Sequence, residues 1–151
     1  MITKLQNARI YDPINRINGK IRDLYIKNNK IIDKPGRGEK ISKVINLKNK
    51  IIMAGGIDIH SHIAGGKVNL ARLLLPEEHR KYLYSSSDKL RSGSGLGTCS
   101  SFHIGYKYAK LGYTAVFEPA TLPSNARSTI IEMSDIPFID KGTYTVLSND
   151  D

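Results

Sequence analysis

The order of segments from residue 51 onward constrains the fold of this chain more than any other feature. The pattern predicts an apolar strand at 51–62, a long polar stretch at 63–97 with a helical turn near 76–84, a helix at 100–112, a strand at 113–117, a helix at 124–133 and a strand at 143–147. Strands that alternate with helices are typical of a parallel α/β sheet or barrel. The chain has 151 residues, however, whereas a complete eight-stranded α/β barrel needs roughly 250.

The first 50 residues have a different pattern, with short apolar alternations and no helical periodicity. Asn28-Asn29 lies between two such runs, and asparagine tolerates the positive φ of a two-residue hairpin turn. Asp12-Pro13 and Asn18-Gly19 predict further turns. Farther along the chain, Ser100 or Ser101 is predicted to cap the first helix, Gly112 to end it and Ser124 to cap the second helix. The sequence therefore predicts a small β module at 1–50, followed by an α/β region at 51–151.

The net charge of +9 comes from the β module. Residues 1–50 hold 13 of the 23 Lys and Arg but only 4 of the 14 Asp and Glu, and the rest of the chain is balanced. The cations are spread out and accompany no nucleic-acid-binding motif, so we expect no nucleic-acid partner. One cysteine, no signal-type N-terminus and no apolar run of about 20 residues favour a cytoplasmic protein without a membrane span.

Two histidines give the clearest chemical signal. His60 and His62 are two positions apart on a predicted strand, so their side chains and that of Asp58 share one face. Two neutral imidazoles can bind one metal ion, and they suit zinc, iron, nickel or cobalt alike. Two surface histidines at the end of a strand are an equally good interpretation of the spacing alone.

The surrounding residues make a family resemblance specific. The segment Met53-Ala-Gly-Gly-Ile-Asp-Ile-His-Ser-His62 resembles the first-strand signature of the amidohydrolase superfamily, with Ala54 where proline is usual. The β module resembles the small sandwich domain that precedes the barrel in that superfamily. More selective stretches resemble the amidohydrolase subunits of formylmethanofuran dehydrogenases; these are Asp58-Ile-His-Ser-His-Ile-Ala-Gly-Gly-Lys-Val-Asn69, Arg91-Ser-Gly-Ser-Gly95, Gly105-Tyr-Lys-Tyr-Ala-Lys-Leu-Gly-Tyr-Thr114 and Glu118-Pro-Ala120.

This resemblance implies a fold and an activity. The fold is an incomplete metal-dependent hydrolase barrel of the TIM type at 51–151, preceded by half of a small β-sandwich at 1–50. The activity is that of a binuclear zinc amidohydrolase that interconverts formate plus methanofuran with N-formylmethanofuran in archaeal methanogenesis from CO2. The implied partners are methanofuran and the other dehydrogenase subunits, including a molybdopterin subunit that carries tungsten or molybdenum.

The resemblance also assigns residues. His60 and His62 take the place of the two first-strand ligands of one zinc, and Lys67, Asn69, Arg72 and Arg91 are candidates for binding the acidic tail of methanofuran. Loop solvation and local salt bridges are the alternative for those four residues. The family's other ligands and its catalytic groups have no counterpart here, so we expect no catalytic residue in this chain. The chain alone is expected to be inactive and to need a separate C-terminal chain.

Other interpretations remain open at this stage. The chain fits a component of the related formyltransferase/hydrolase complex, a piece of another N-acyl or cyclic-amide hydrolase, or a non-catalytic assembly piece. Glu118 either lines the site or pairs with a loop cation, whereas His103 is expected to be structural and Cys99 inert.

Overall fold

The computed structural model describes residues 1–82, 91, 92, 95 and 97–147. The chain divides into two compact units, Met1–Ala54 and Gly55–Asp151. The first unit contains β1 (Ile2–Asp12), β2 (Ile17–Lys27), β3 (Lys30–Ile32), β4 (Ile41–Asn46) and β5 (Ile51–Ile52). Its sheet has the order β3-β2-β1-β4, and β5 also pairs with β1. The β1–β2 and β2–β3 ladders are antiparallel, whereas β4 and β5 run parallel to β1.

The turns of the first unit separate correct predictions from an incorrect one. Asn28 and Asn29 have φ values of 50° and 61° and join β2 to β3, which confirms the predicted hairpin. The turn predicted at Asn18-Gly19 is wrong, because both residues lie within β2. There Gly19 has a φ of 66° at a register shift between β1 and β2, which is a β-bulge. A positive φ suits glycine in a bulge as well as in a turn, so the local sequence does not distinguish the two.

The second unit is built around a parallel sheet. Its elements are β6 (Gly56–Asp58), α1 (Gly66–Arg72), α2 (Pro76–Tyr82), α3 (Ser101–Lys110), β7 (Tyr113–Thr121), a 3-10 helix (Pro123–Asn125), α4 (Ala126–Ser134) and β8 (Asp140–Thr145). The sheet has the order β6-β7-β8, with both neighbouring pairs parallel. The predicted α/β class is therefore confirmed. The helical turn predicted near 76–84 appears as α2, and its last two positions lie outside the described residues.

The strand predicted at 51–62 is divided between β5, which pairs with β1 in the first unit, and β6 of this unit. β6 is therefore shorter than predicted. It ends at Asp58 rather than continuing to His62, because the Asp58 carboxylate accepts a hydrogen bond of 3.0 Å from the backbone N–H of His60. An Asp side chain that bonds the backbone two residues later favours a turn over a continued ladder. The two histidines therefore lie in the segment just after the strand, and the prediction that they belong to a regular strand face is wrong.

The helices of the second unit cover the core of its sheet. A cluster of buried apolar side chains packs between β7 and α4, and Ile104 and Tyr108 of α3 contact it; the cluster consists of Ile63, Ala64, Val116, Met133, Ile136 and Ile139. Ser100 caps α3 by accepting a hydrogen bond from the N–H of His103, as the sequence predicts. The predicted Ser124 cap is not observed, because α4 begins at Ala126 with Asn125 in the cap position. None of the helices in the described residues has the length and apolar character of a membrane span.

Candidate functional site

The site begins where the chain leaves β6. Ser61 is 3% exposed, and its backbone N–H and its hydroxyl both donate to the carbonyl of Phe117 on β7, at 2.9 and 3.2 Å. His60 and His62 on either side of it are exposed, and their ring centroids are 5.3 Å apart. Because Ser61 is held against β7, the two imidazoles project side by side toward solvent. The two imidazole rings are therefore neighbours, as they would have been on one face of a strand.

Glu118 of β7 fixes one of these imidazoles. Its side chain is 1% exposed, and its Oε1 lies 3.2 Å from Nδ1 of His62. The same oxygen accepts a 2.9 Å bond from the N–H of Ala120, while Oε2 accepts from Ile63 and Ala64 at 2.8 and 3.4 Å. Each of these other partners is a backbone N–H donor. A neutral His62 ring that donates from Nδ1 to Glu118 would keep a lone pair on Nε2.

This arrangement fits a metal ion. A histidine that ligates a metal usually donates its other ring N–H to a carboxylate or a carbonyl, which fixes the ring and its tautomer. The His62–Glu118 pair has this form, and the ring of His60 stands beside it. The two histidines supply two of the three or four protein ligands that a zinc site normally has. We conclude that the donor set fits half of a metal site.

A cleft opens beside His62. Its volume is about 420 Å³, and its lining residues are His62, Lys67, Val68, Ala71, Arg72, Leu75 and Ala120. Lys67 is exposed and Arg72 is largely buried, so the cleft has an apolar wall with two cations. Such a cleft suits a ligand that has an apolar body and an anionic group.

Glu132 of α4 determines the conformation of the loop that forms this wall. Its carboxylate is 4% exposed and accepts from the N–H of Gly65 at 2.9 Å and from Nδ2 of Asn69 at 2.8 Å. It also accepts from Ser101 at 2.5 Å and from Arg72 at 3.2 Å. The guanidinium of Arg72 bonds Asn69 and the carbonyl of Ile63 as well. The side chains of Asn69 and Arg72 thus tie α1 to α4.

The remaining predicted residue, Arg91, is held differently. Its backbone N–H donates to Asp135 at 2.8 Å, and the N–H and hydroxyl of Ser92 donate to the same carboxylate at 2.9 and 2.7 Å. The side chain of Arg91 is exposed and is not among the residues that line the cleft. The structure therefore brings Lys67 and Arg72 together with His62, links Asn69 to Arg72, and anchors Arg91 on Asp135.

Sequence reasoning missed two of the residues that organise the site. Glu132 and Asp135 had no local signal, because their partners lie about 30 to 70 positions away in the chain. Glu118 has a local signal, since it lies near the end of a strand and precedes a proline. Of its two interpretations, pairing with a loop cation is not observed among its hydrogen bonds.

Several known proteins are similar to this chain. Residues 43–150 match the model of the amidohydrolase family. The chain is 39% identical to protein FwdA of Methanocaldococcus jannaschii over 145 residues, which is 96% of this chain and 25% of that protein. It is 37% identical to FhcA, a component of the formyltransferase/hydrolase complex Fhc of Methylorubrum extorquens, over 100% of this chain and 26% of that protein.

A solved structure is similar along the whole chain. The crystal structure of the FhcABCD complex from Methylorubrum extorquens with methylofuran matches with a TM-score of 0.76 and 37% identity. The match covers 100% of this chain and 26% of the solved chain. The chain thus spans about a quarter of the length of the curated relatives that it matches.

Proposed function

This chain belongs to the amidohydrolase family, and we propose that it is the N-terminal part of the amidohydrolase subunit of a formylmethanofuran dehydrogenase. The parent enzyme in this proposal is a binuclear zinc amidohydrolase of the archaeal cytoplasm, and it interconverts formate plus methanofuran with N-formylmethanofuran. Residues 1–50 form half of its small sandwich, and residues 51–151 form the first units of its TIM-type barrel. The similarity to FwdA and FhcA supports this proposal.

The observation that carries the proposal is the hydrogen bond between Glu118 and His62. A buried carboxylate that receives Nδ1–H from one member of a histidine pair is the arrangement expected behind a metal ligand. His60 and His62 would hold one zinc, with Nε2 of His62 as the ligand atom. When bound there, zinc supplies Lewis-acid polarisation of an amide carbonyl.

The cleft beside His62 is the proposed binding place for the furan cofactor. Lys67 is exposed at its edge and would attract an anionic tail, and the apolar wall at Val68 and Ala71 would contact the less polar part of the ligand. Arg72 also lines the cleft, but Glu132 shares its charge, so we assign it and Asn69 mainly to holding the wall. Arg91 remains a candidate for contact with the end of a longer ligand.

The chain alone is proposed to be inactive. Two histidines make half of one metal site, and within the described residues no group of three or more His, Cys, Asp and Glu ligand atoms includes them. The remaining ligands and the catalytic groups would come from the other three quarters of the parent. The assembled enzyme would then bind the other dehydrogenase subunits, including the tungsten or molybdenum molybdopterin subunit.

The proposal can be tested by metal content and complementation. Elemental analysis for zinc, iron, nickel and cobalt should find about one more equivalent of metal in the purified chain than in the double variant His60→Ala/His62→Ala. The matched control Lys67→Ala should keep that metal and lose affinity for a methanofuran-type ligand. Equal metal content in the wild-type chain and the double variant would contradict the assignment of the half-site.

The presence of only two grouped histidines favours a second candidate, a non-catalytic assembly piece. Mixing the chain with a C-terminal fragment of a full-length relative such as FwdA separates the two. Appearance of N-formylmethanofuran hydrolysis supports complementation, whereas a stable but inactive complex supports the assembly role. Hydrolysis of another N-acyl or cyclic amide in place of the formyl substrate would assign the parent to a different hydrolase of the family.

A further inference from the structure

A second group of metal-ligating side chains lies on the other side of Arg72 and Leu75 from the histidine pair. Glu78 is on α2, Cys99 precedes α3, and His103 is in the first turn of α3. One ligand atom from each lies within 4.8 Å of the other two. We propose that Glu78, Cys99 and His103 form a second metal site, which takes a thiophilic divalent cation such as Zn²⁺ and is independent of His60 and His62.

The three ligand types select the class of metal. A thiolate, an imidazole and a carboxylate together are a common donor set for zinc, whereas magnesium and calcium require oxygen ligands. In a tetrahedral zinc site with bonds of 2.0–2.3 Å, neighbouring ligand atoms are about 3.5 Å apart. The ligand atoms, which lie within 4.8 Å of one another, therefore have to approach by at most about 1.3 Å. Rotation of the half-buried Glu78 side chain can supply part of this movement.

The scaffold holds the ligands in place before a metal binds. Ser100 accepts a hydrogen bond of 3.3 Å from the N–H of His103, which fixes the first turn of α3 beside Cys99. Cys99 is 2% exposed. Lys107, one turn farther along α3, lies 2.5 Å from Glu78, and this contact draws the carboxylate toward the helix that carries His103.

Glu78 and Cys99 are the acidic ligands of the proposed site. On binding, the S–H bond breaks, a bond from sulfur to the metal forms, and the proton passes to water. The thiolate and the carboxylate then neutralise the two charges of the metal.

Space remains for a further ligand. A cavity of about 300 Å³ adjoins the cluster, and its lining includes Glu77, Glu78, Cys99 and Lys107. Three protein ligands with an open position are typical of zinc sites that bind water or a small anion. Solvent or the neighbouring carboxylate of Glu77 would complete the coordination.

The test uses cobalt as a spectroscopic substitute for zinc in the full chain. Cys99 is the single cysteine of the sequence, so a near-ultraviolet charge-transfer band from thiolate to Co²⁺ can come from no other residue. The band is expected in the wild-type chain and in the double variant His60→Ala/His62→Ala. It should disappear in Cys99→Ser and weaken strongly in His103→Ala. A wild-type chain that binds cobalt without this band overturns the proposal.

A second measurement keeps the test independent of the stability of the variants. In the wild-type chain, zinc at about ten times its Kd should slow alkylation of Cys99 roughly tenfold, because only the unbound fraction reacts. Mass spectrometry measures this rate, and Glu78→Gln should reduce the protection. Equal alkylation rates with and without zinc overturn the proposal. Neither readout involves His60 or His62. A negative result here therefore does not contradict the proposed function, and a negative result in the test of that function does not contradict this second metal site.

Discussion

The two units of the chain are stabilised in different ways. In Met1–Ala54 the buried side chains are Ile2, Ala8 and Ile10, and all of them are apolar. In the described part of Gly55–Asp151 the buried set includes three carboxylates, Glu118, Glu132 and Asp135, and each accepts several hydrogen bonds. The first unit depends on backbone ladders between strands, whereas the second also depends on buried acidic groups that connect distant segments.

The ion pairs differ in the same way. Lys4–Asp23 and Lys27–Glu39 in the first unit have partly exposed side chains, and such pairs contribute little to stability. Arg72–Glu132 in the second unit has side-chain exposures of 10% and 6%. Removing one member of a buried pair leaves a charge without compensation. Each candidate metal ligand also lies in the second unit. The buried ionic groups that stabilise this unit are therefore in the same unit as the candidate metal ligands.

Loss of the Glu132 carboxylate should have the largest effect. Glu132→Ala removes the acceptor of four donors and leaves the Arg72 guanidinium buried, so we expect the second unit to lose about 3–5 kcal/mol. Hydrogen exchange read by mass spectrometry should show protection lost at 63–72. The control Glu39→Gln, in the first unit, should leave exchange unchanged. Equal losses of hydrogen-exchange protection in the two variants would contradict the view that buried acidic groups stabilise only the second unit.

Replacement of Glu118 should act on metal binding more than on the fold. Glu118→Gln keeps the shape but replaces one carboxylate oxygen by an NH2 donor. If the amide oxygen accepts from the N–H groups of Ile63 and Ala64, the NH2 group faces Nδ1 of His62, and the ring loses the acceptor that fixes its tautomer. We expect the affinity of the histidine pair for zinc to fall by roughly 10- to 100-fold, as for other groups that orient metal ligands. Calorimetric titration measures it, with Asp140→Asn on β8 as the control. Unchanged affinity in Glu118→Gln would contradict the role of Glu118.

Substitution of one glycine in each unit compares how tightly the two units are packed. A Cβ on Gly105 of α3 would lie 2.7 Å from Cδ of Pro137 and 2.9 Å from Cγ2 of Ile136. Gly105→Ala should therefore destabilise the second unit by about 1–3 kcal/mol through overpacking. Gly38 in the first unit has a φ of +85° and no atom within 4 Å of such a Cβ, so Gly38→Ala carries only the backbone strain of about 1–2 kcal/mol. Urea denaturation measures the free energy of unfolding of both variants. An unchanged free energy in Gly105→Ala would mean that α3 is not tightly packed against Ile136 and Pro137.

The smallest effect concerns pH in the first unit. The hydrogen bond from Lys4 lowers the pKa of Asp23 from its ordinary value of 3.8. Since the folded pKa is below the unfolded one, its contribution to stability is fully present above pH 3.8 and is lost as the pH falls through the folded pKa. Asp23→Asn should remove this slope with little change at pH 7. Hydrogen exchange of β1 and β2 between about pH 5 and 3 measures it, and an unchanged slope would exclude Asp23 as its source.

Elements with local signals could be predicted from the sequence. The Asn28-Asn29 hairpin, the Ser100 cap of α3 and the stop at Gly112 follow from backbone preferences of single residues, and the structure has all three. The helix α1 was missed, because it begins at Gly65-Gly66 without a side-chain cap and because Asn69 and Arg72 bond Glu132, 60 or more positions away. The strand predicted through His62 was overextended, because an Asp side chain competes with the ladder at Asp58.

Of the candidate site, the exposed histidine pair could be predicted from the sequence, and the buried groups that hold it could not. His60 and His62 stand out as a motif, and their pairing depends on adjacent residues. The groups that hold them depend on contacts across 55 or more positions, such as Glu118 with Ile63 and Glu132 with Gly65. Those contacts follow from the order of strands and helices in the folded unit, so no local sequence pattern predicts them. The boundary at 50/51 and the roles of Lys67, Asn69, Arg72 and Arg91 stay predictions.

The tautomer of His62 tests the account most directly. Long-range proton–nitrogen NMR correlation distinguishes the two neutral forms of each of the four histidines, and His62→Gln assigns the signal. At a pH where the ring is neutral, we predict that His62 carries its proton on Nδ1, donating to Glu118, and that Glu118→Gln abolishes this preference. A proton on Nε2 of His62 in the wild-type chain would contradict the account, because the atom proposed to face the metal would then be blocked.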